Sequence, residues 1–166
     1  MQTHYQTNRL TLKKLSAADA AFIYELVNSP GWIEFIGDRN VHTVEDAITY
    51  INKINNNNNI IYWSVQLKDS ETSIGVITFI KRDYLDHHDI GFAFLPQHAK
   101  KGYAFEAAKI VLDDALNNPL HPVILANTLP HNKNSVSLLE KLGFVFQKEI
   151  EAGNEKLLLF SVKKNK

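Results

Sequence analysis

One stretch of the chain, residues 89–108 (DIGFAFLPQHAKKGYAFEAA), combines an apolar run, a short basic loop and the beginning of a helical pattern. A strand that ends at its proline and a helix that begins near Tyr103 would form a corner, where free backbone N–H groups and the positive end of the helix dipole point to one spot. Such a corner suits a phosphate group. Gly102 would let a ligand come close to the backbone, and Lys100 and Lys101 add positive charge. An ordinary helix start with two solvated lysines would explain the same residues.

The loop lacks the two best-known phosphate-binding patterns, because a dinucleotide fingerprint needs two more glycines and a P-loop needs Gly-Lys-Ser or Gly-Lys-Thr.

The chain has no cysteine, which excludes disulfides, thiolate metal sites and a cysteine nucleophile and fits a reducing compartment. His87 and His88 would point apart on a strand, and no third ligand stands at matching spacing. We therefore expect no metal.

Hydrophobic periodicity predicts the elements that hold this loop in place. The clearest helix carries apolar residues at i, i+3, i+4, i+7 and i+8 from Ala104 onward. Two earlier helices begin after the capping residues Ser16 and Thr43, the first ending at Ser29-Pro30-Gly31. The other predicted elements are a helix at residues 135–142 and strands at 10–13, 60–67, 74–80, 90–95, 123–126, 144–150 and 156–162. This order predicts one α/β domain with a mixed sheet, spanning residues 1–166.

The composition is that of an ordinary globular protein, with 45% apolar and 22% charged residues in a chain of 166. Because 18 basic residues balance 18 acidic ones, the charge gives no reason to expect a nucleic-acid partner or a membrane surface as partner. The first ten residues lack the apolar core of a signal peptide, and no apolar run approaches membrane-spanning length. We therefore expect a cytoplasmic protein.

Five blocks along the chain resemble, in order, the motifs of the GCN5-related N-acetyltransferase (GNAT) superfamily, and in particular its ribosomal-protein alanine N-acetyltransferase (RimJ/RimL-like) branch. The blocks are residues 7–13 (TNRLTLK) with Asp19, 73–77 (SIGVI), 89–92 (DIGF), 101–107 (KGYAFEA), and 132–135 (NKNS) followed by 140–144 (EKLGF). The loop departs from the family pattern at Ala99 and Lys100, where relatives usually have a larger side chain and a glycine.

The resemblance implies a single GNAT domain with about six to seven strands and about four helices, and an enzyme that uses acetyl-CoA as cosubstrate. It implies that acetyl-CoA lies between the strand that ends at Leu95 and the strand 123–126. The implied cofactor-binding residues are Phe94, Leu95, Lys100, Lys101, Gly102, Tyr103, Ala104, Phe105 and Asn132. Backbone N–H groups of residues 101–105 would bind the pyrophosphate, and Asn132 would hold the pantetheine arm.

The same resemblance implies direct attack of an amine on the thioester, which needs a base for the ammonium and a proton for the thiolate. Ser135 is the candidate to protonate or hydrogen-bond the thiolate, although a serine at this place could also be a helix N-cap. Asp89 and His88 are the first candidates for the base, on opposite faces of their strand. Glu149 and Glu151 are further candidates. Glu106 is better explained as a complement to the helix dipole.

The loop between the first two helices borders the acceptor groove in this family. Its candidate substrate-binding residues are Trp32, Phe35, Asp38 and Arg39, where aromatic rings and an Asp-Arg pair would suit an amine or a peptide terminus. A loop anchored to the core by its aromatic residues is the competing explanation.

The leading interpretation is an N-acetyltransferase that acts on a protein N-terminus or a small amine. The alternatives are a non-catalytic acyl-CoA-binding module and a nucleotide-binding domain that uses the same loop. A monomer and a homodimer are both compatible with the sequence.

Overall fold

The structure, a computed structural model, describes residues 1–165. They form one eight-stranded mixed sheet with five α-helices. The strands are β1 (His4–Gln6), β2 (Leu10–Lys14), β3 (Ile60–Leu67), β4 (Ser73–Ile80), β5 (Asp89–Phe94), β6 (Val123–Thr128), β7 (Val145–Ala152) and β8 (Glu155–Lys163). The helices are α1 (Ala20–Val27), α2 (Pro30–Phe35), α3 (Val44–Asn55), α4 (Tyr103–Asn117) and α5 (Lys133–Lys141).

The sheet contains one weak junction, between β5 and β6. The strand order is β1-β2-β3-β4-β5-β6-β8-β7, and β5 and β6 are the parallel neighbours among antiparallel ones. They pair at Asp89 and Leu125, where the N–H of Leu125 donates to the carbonyl oxygen of His88 at 2.9 Å. Beyond this pair the two strands form no further ladder pairs as they run to Phe94 and Thr128. The gap that opens there is called the split below.

Side chains alternate between the two faces of the sheet. On one face, called the α4 face, α4 and α5 cover a core that includes Phe79 and Ile90. On the other, called the α1 face, helices α1 to α3 cover a core that includes Tyr62 and Val76. A smaller apolar cluster surrounds Leu125 on the α1 face of β6 and β8. The split therefore lies between two separately packed regions of the α1 face.

Local capping signals set several element ends as the sequence predicts. The hydroxyl of Thr43 accepts a hydrogen bond from the N–H of Asp46 at 3.0 Å at the start of α3. The N–H of Ser16 donates to Asp19 at 2.9 Å, as in a capping box. Helix α3 ends at the first residue of the asparagine run, since asparagine favours turns over helix interiors.

Two short elements go beyond the expected six to seven strands and four helices. Strand β1 has only three residues, too few to show an alternating pattern, and forms because its backbone pairs with β2. Helix α2 begins at Pro30, whereas the sequence predicted that the first helix ends there. The same helix includes Trp32 to Phe35, which were predicted to lie in the loop between the first two helices. Proline fits the first helical position because no helical partner is needed there for its missing N–H.

Gly75 in β4 is a position where the sheet has no room for a side chain. A Cβ there would lie 2.4 Å from the ring of Phe94 and 2.7 Å from the carbonyl oxygen of Ala93. We expect Gly75→Ala to lower the free energy of unfolding by about 1–3 kcal/mol through overpacking. Urea denaturation would measure this. The control is Gly31→Ala in α2, where a Cβ meets nothing within 4 Å and the expected change is under about 1 kcal/mol. Equal effects of the two substitutions would contradict the prediction.

Candidate active site

The loop before α4 presents a row of unused hydrogen-bond donors. The N–H of Ala99 donates to Pro96 and that of Glu106 to Gly102, but the backbone N–H groups of residues 100–105 have no acceptor in the described chain. Gly102 has φ 80° and Lys100 has φ 62°, both left-handed, which turns the chain sharply into the helix. Six successive free N–H groups at the start of a 15-residue helix can bind a phosphate.

Arg9, in the turn between β1 and β2, braces this loop through a contact that no local sequence pattern predicts. Its Nη1 donates to the carbonyl oxygen of Lys101 at 2.9 Å, and its guanidinium lies 4.4 Å from the ring centroid of Tyr103. Glu106 accepts three hydrogen bonds, from the Thr7 hydroxyl at 2.6 Å, the Arg9 backbone N–H at 2.9 Å and Arg9 Nε at 2.7 Å. Two blocks of the quoted motifs thus meet here, although the residues in contact lie 92 or more positions apart. Glu106 is a structural clamp in addition to a dipole complement.

The backbone of β5 decides which residues can face the split. The N–H of Leu95 donates to the carbonyl oxygen of Ile74 at 2.9 Å, and its carbonyl oxygen accepts from His98 at 3.0 Å. Because backbone groups alternate in direction along a strand, Phe94 and Phe92 point their N–H and C=O groups away from β4 and into the split. The prediction for Phe94 fits this geometry. At Leu95 the N–H and one lone pair of the carbonyl oxygen are already engaged, so Phe92 is the better second candidate.

Asn132 and Ser135 stand together at the start of α5, at the end of β6. Asn132 is the N-cap, and its side-chain Oδ1 accepts from the Ser135 backbone N–H at 3.2 Å. Ser135 is therefore not the N-cap, and within residues 1–165 its hydroxyl makes no hydrogen bond to the protein. Both side chains are half-buried. This removes the competing structural explanation for the Ser135 hydroxyl.

Asp89 is buried and paired. Its Oδ2 lies 2.7 Å from Arg82 Nε, and its side chain is 3% exposed. Burial raises the pKa of Asp89, and the Arg82 guanidinium opposes that rise without cancelling it. Both oxygens receive hydrogen bonds from Arg82, at 2.7 and 3.4 Å, so a role as base would require Arg82 to move or a water to intervene.

His88 lies on the opposite face, as its position next to Asp89 predicts. Its ring stacks on Phe79 at 4.7 Å between centroids and meets the His121 ring edge-on at 4.7 Å. Burial lowers the pKa of His88, with His121 and Lys81 adding to the effect. A neutral imidazole could accept a proton, but this ring is on the α4 face, away from the acceptor loop.

The remaining carboxylate candidates are solvent-exposed. Glu149 pairs with Lys156 across the β7–β8 hairpin at 3.4 Å, and Glu151 is exposed on the same edge strand. Neither is held close to Ser135 by any contact in the described chain, and both remain predictions.

The acceptor-side residues are divided between core and surface. Trp32 is 4% exposed, its Nε1 has no partner in the described chain, and the Arg39 guanidinium lies 6.0 Å from its ring. Asp38 and Arg39 do not pair with each other. Asp38 accepts from the N–H of Asn40 at 2.8 Å, and Arg39 makes long hydrogen bonds to carbonyls of its own loop. Asp38 and Arg39 remain predicted substrate-binding residues, each hydrogen-bonded within its own loop and not to the other.

Helix α2 reaches across to the loop that leads into α5. The ring of Phe35 lies 5.3 Å from that of His131, and Glu34 pairs with His131 at 3.8 Å. His131 is the neighbour of Asn132, so Phe35 is brought to the same end of the split as Asn132 and Ser135. The structure thus brings one predicted acceptor residue, Phe35, to the loop that leads into Asn132 and Ser135.

Two kinds of structural feature are absent from residues 1–165. No cluster of three or more His, Cys, Asp or Glu side chains could hold a metal ion. None of the helices has the length and apolar character that a membrane span requires.

A model of the acetyltransferase (GNAT) domain matches residues 9–145 of this chain. A Bacillus subtilis (strain 168) protein described as the uncharacterized N-acetyltransferase YnaD is 33% identical over 158 residues, which is 92% of this chain and 91% of that protein. Among solved structures, an acetyltransferase of the GNAT family from Bacillus anthracis is 26% identical with a TM-score of 0.81, covering 96% of this chain and 98% of its own.

Two more distant structures share the fold. The ribosomal-protein-S5-alanine acetyltransferase from Vibrio fischeri has a TM-score of 0.80 at 19% identity, covering 98% of this chain and 97% of its own. The spermidine N-acetyltransferase from Vibrio cholerae, solved with CoA and spermine, has a TM-score of 0.78 at 20% identity, covering 95% and 96%. At these identities the likeness concerns the fold alone.

The Glu106 clamp makes stability depend on pH. Burial alone would raise the pKa of Glu106, but the hydrogen bonds from Thr7 and Arg9 outweigh it and hold the pKa below its ordinary value of 4.5. Protons therefore bind the unfolded chain better, and the clamp's contribution is full above about pH 4.5 and lost as pH falls through the folded pKa. We expect Glu106→Gln to be less stable than the wild type at pH 7 and the difference to shrink towards pH 3.

Urea denaturation of both proteins across that pH range measures the effect. The control is Glu45→Gln, a first-turn carboxylate of α3 that is exposed. A stability difference that stays constant from pH 7 to pH 3 would show that the charge of Glu106 contributes nothing.

Proposed function

This chain belongs to the GNAT acetyltransferase family, and from that premise we propose that it transfers the acetyl group of acetyl-CoA by direct attack of a primary amine. The observation that carries the proposal is the row of six free backbone N–H groups at residues 100–105, at the open end of the split between β5 and β6. A diphosphate bound there would leave the rest of CoA free to enter the split.

The cofactor-binding roles follow from which groups are free. The loop N–H groups and the side chains of Lys100 and Lys101, which are exposed, would bind the pyrophosphate. Phe94 and Phe92 would offer backbone hydrogen bonds to the pantetheine arm as a neighbouring strand would. Asn132 has its Oδ1 engaged in the helix cap, which leaves its Nδ2 to bind the arm.

The catalytic roles divide between Ser135 and a base. Ser135 would donate a proton or a hydrogen bond to the thiolate as the carbon–sulfur bond breaks, since its hydroxyl has no protein partner within residues 1–165. For the base we favour Asp89 over His88, because Asp89 lies on the α1 face, where the acceptor loop packs. It would act through a water, because Arg82 holds both of its oxygens. No covalent acyl-enzyme is proposed, because the chain has no cysteine.

The acceptor is proposed at the level of a class, a small-molecule amine or a protein N-terminus. The solved structures with this fold include both a ribosomal-protein acetyltransferase and a spermidine acetyltransferase. The five motif blocks support membership of the RimJ/RimL-like branch, but a shared branch does not identify a substrate. A cytoplasmic location and a monomeric or dimeric state are further parts of this proposal. The alternative is a module that binds acyl-CoA without turnover.

Thermal unfolding with acetyl-CoA, CoA and ATP tests the cofactor. We expect both CoA forms to raise Tm and ATP to have little effect, because a ligand at a hundredfold excess over its Kd stabilises the folded state by about 2.7 kcal/mol. Gly102→Glu should abolish the shift, since it puts a carboxylate among the phosphate-binding N–H groups. Gly153→Glu is the matched control, because Gly153 also has a positive φ but lies in the β7–β8 turn. If no CoA species stabilises the wild type, the proposed function is wrong.

Ser135→Ala tests the proton donor once an acceptor amine has been found by screening. We expect kcat to fall about a hundredfold, as is typical for loss of a general acid. The Kd for acetyl-CoA and the Tm should stay near the wild-type values, because Ser135 is not the N-cap of α5. Ser137→Ala, on the exposed side of the same helix, is the control. An unchanged kcat in Ser135→Ala would remove this residue from the mechanism.

A further inference from the structure

Asn127, on β6 at the edge of the split, has a buried amide with no hydrogen-bond partner. Its Nδ2 is closed off from solvent and no protein atom in the described chain accepts from it. Buried polar groups in folded proteins nearly always have a partner, so an exception calls for an explanation. The proposed roles of the cofactor loop, Asn132 and Ser135 leave this residue unused.

The register of the strands gives the surroundings of Asn127. It lies two residues beyond Leu125 on β6, and Gly91 lies two residues beyond Asp89 on β5, so the two are level across the split. Residues level with each other on parallel strands point to the same face. Asn127 therefore faces, on the α1 face, a position where β5 has no side chain.

Thr78 closes the other side of that position. It pairs with Gly91, and a Cβ added to Gly91 would lie 2.6 Å from the Thr78 Oγ1. The hydroxyl therefore leans over the glycine, and Thr78 is 9% exposed. The space above Gly91 is flanked by an amide from β6 and a hydroxyl from β4, on the face where the acceptor loop packs.

The chemistry of the amide restricts what can occupy this space. An amide nitrogen only donates hydrogen bonds, so the N–H groups of an attacking amine cannot satisfy Nδ2, whereas a carbonyl oxygen can. The proposed cosubstrate carries carbonyl oxygens in its pantetheine arm and in its thioester, and only the thioester carbonyl is missing from CoA. We propose that Asn127 donates from Nδ2 to the acetyl carbonyl oxygen of acetyl-CoA and to the negative charge that develops on it.

The bonds that change are those of the proposed transfer, on which this inference rests. The amine nitrogen bonds to the carbonyl carbon, and the carbonyl electron pair moves to the oxygen that Asn127 holds. That pair returns as the carbon–sulfur bond breaks, the amine proton leaves to the base, and the thiolate takes a proton. Asn127 exchanges no proton itself. Its proposed contribution is a hydrogen bond to the charge that develops on the oxygen.

Binding of acetyl-CoA and CoA, measured side by side by calorimetry, tests the inference without a known acceptor. CoA lacks the carbonyl, so Asn127→Ala should reduce the preference for acetyl-CoA over CoA about fivefold, the value of one neutral hydrogen bond. Asn127→Asp keeps the shape, loses the donor and should reduce that preference at least as much. Ser161→Ala, on the same face of β8 and paired with Leu125, is the control and should leave the preference unchanged.

The outcomes separate this inference from the proposed function. If the wild type binds neither CoA form, the transferase proposal fails. If it binds both and neither Asn127 variant changes the preference, the Asn127 inference alone is wrong, and the same holds if affinity for both forms falls equally. With an acceptor in hand, Asn127→Ala should also lower kcat about a hundredfold, as loss of one oxyanion donor does. An effect confined to the KM of an acidic acceptor would instead assign the amide to that acceptor's carboxylate.

Discussion

The separation of β5 from β6 is the constraint on which the rest of this structure depends. Neighbouring parallel strands normally form a continuous ladder of hydrogen bonds. These two strands pair only at Asp89 and Leu125. The backbone groups beyond this pair lose their sheet partners, and unpaired buried backbone groups are costly in a folded protein. A ligand that lies between the strands as a further strand would satisfy them. The sheet therefore gives up local stability at the place where we propose that the cosubstrate binds.

The loop before α4 also has unpaired backbone groups, and side chains from another part of the chain support it. Its six free N–H groups and two left-handed residues would favour a disordered turn if nothing held them. Arg9 and Thr7 supply the support through Glu106 and the carbonyl of Lys101. This clamp ties the start of β2 to the first turn of α4, so the loop is held open without using the donors that a phosphate needs. The loop and the residues that brace it lie 92 or more positions apart in the chain.

Much of the fold was predictable because its signals are local. The long apolar stripe of α4, the caps at Ser16 and Thr43 and the asparagine run after α3 act within a few residues of one another. The motif blocks likewise predicted the family, and they include the loop that we propose binds the cofactor, where glycine and free helix N–H groups suit a phosphate in any fold. Short elements such as β1 could not be predicted, because three residues are too few to show a periodic pattern.

The roles of individual site residues depended on contacts that no local pattern encodes. The backbone N–H of Leu95 donates to Ile74, and its carbonyl oxygen accepts from His98. Asp38 and Arg39 form their hydrogen bonds within their own loop. Asn132, not Ser135, caps α5. The sequence by itself determined the longer elements and the family of the chain, because propensity and motif act over short distances. Only the tertiary structure decided which donors stay free, because a hydrogen bond is available to a ligand only if no distant residue already takes it.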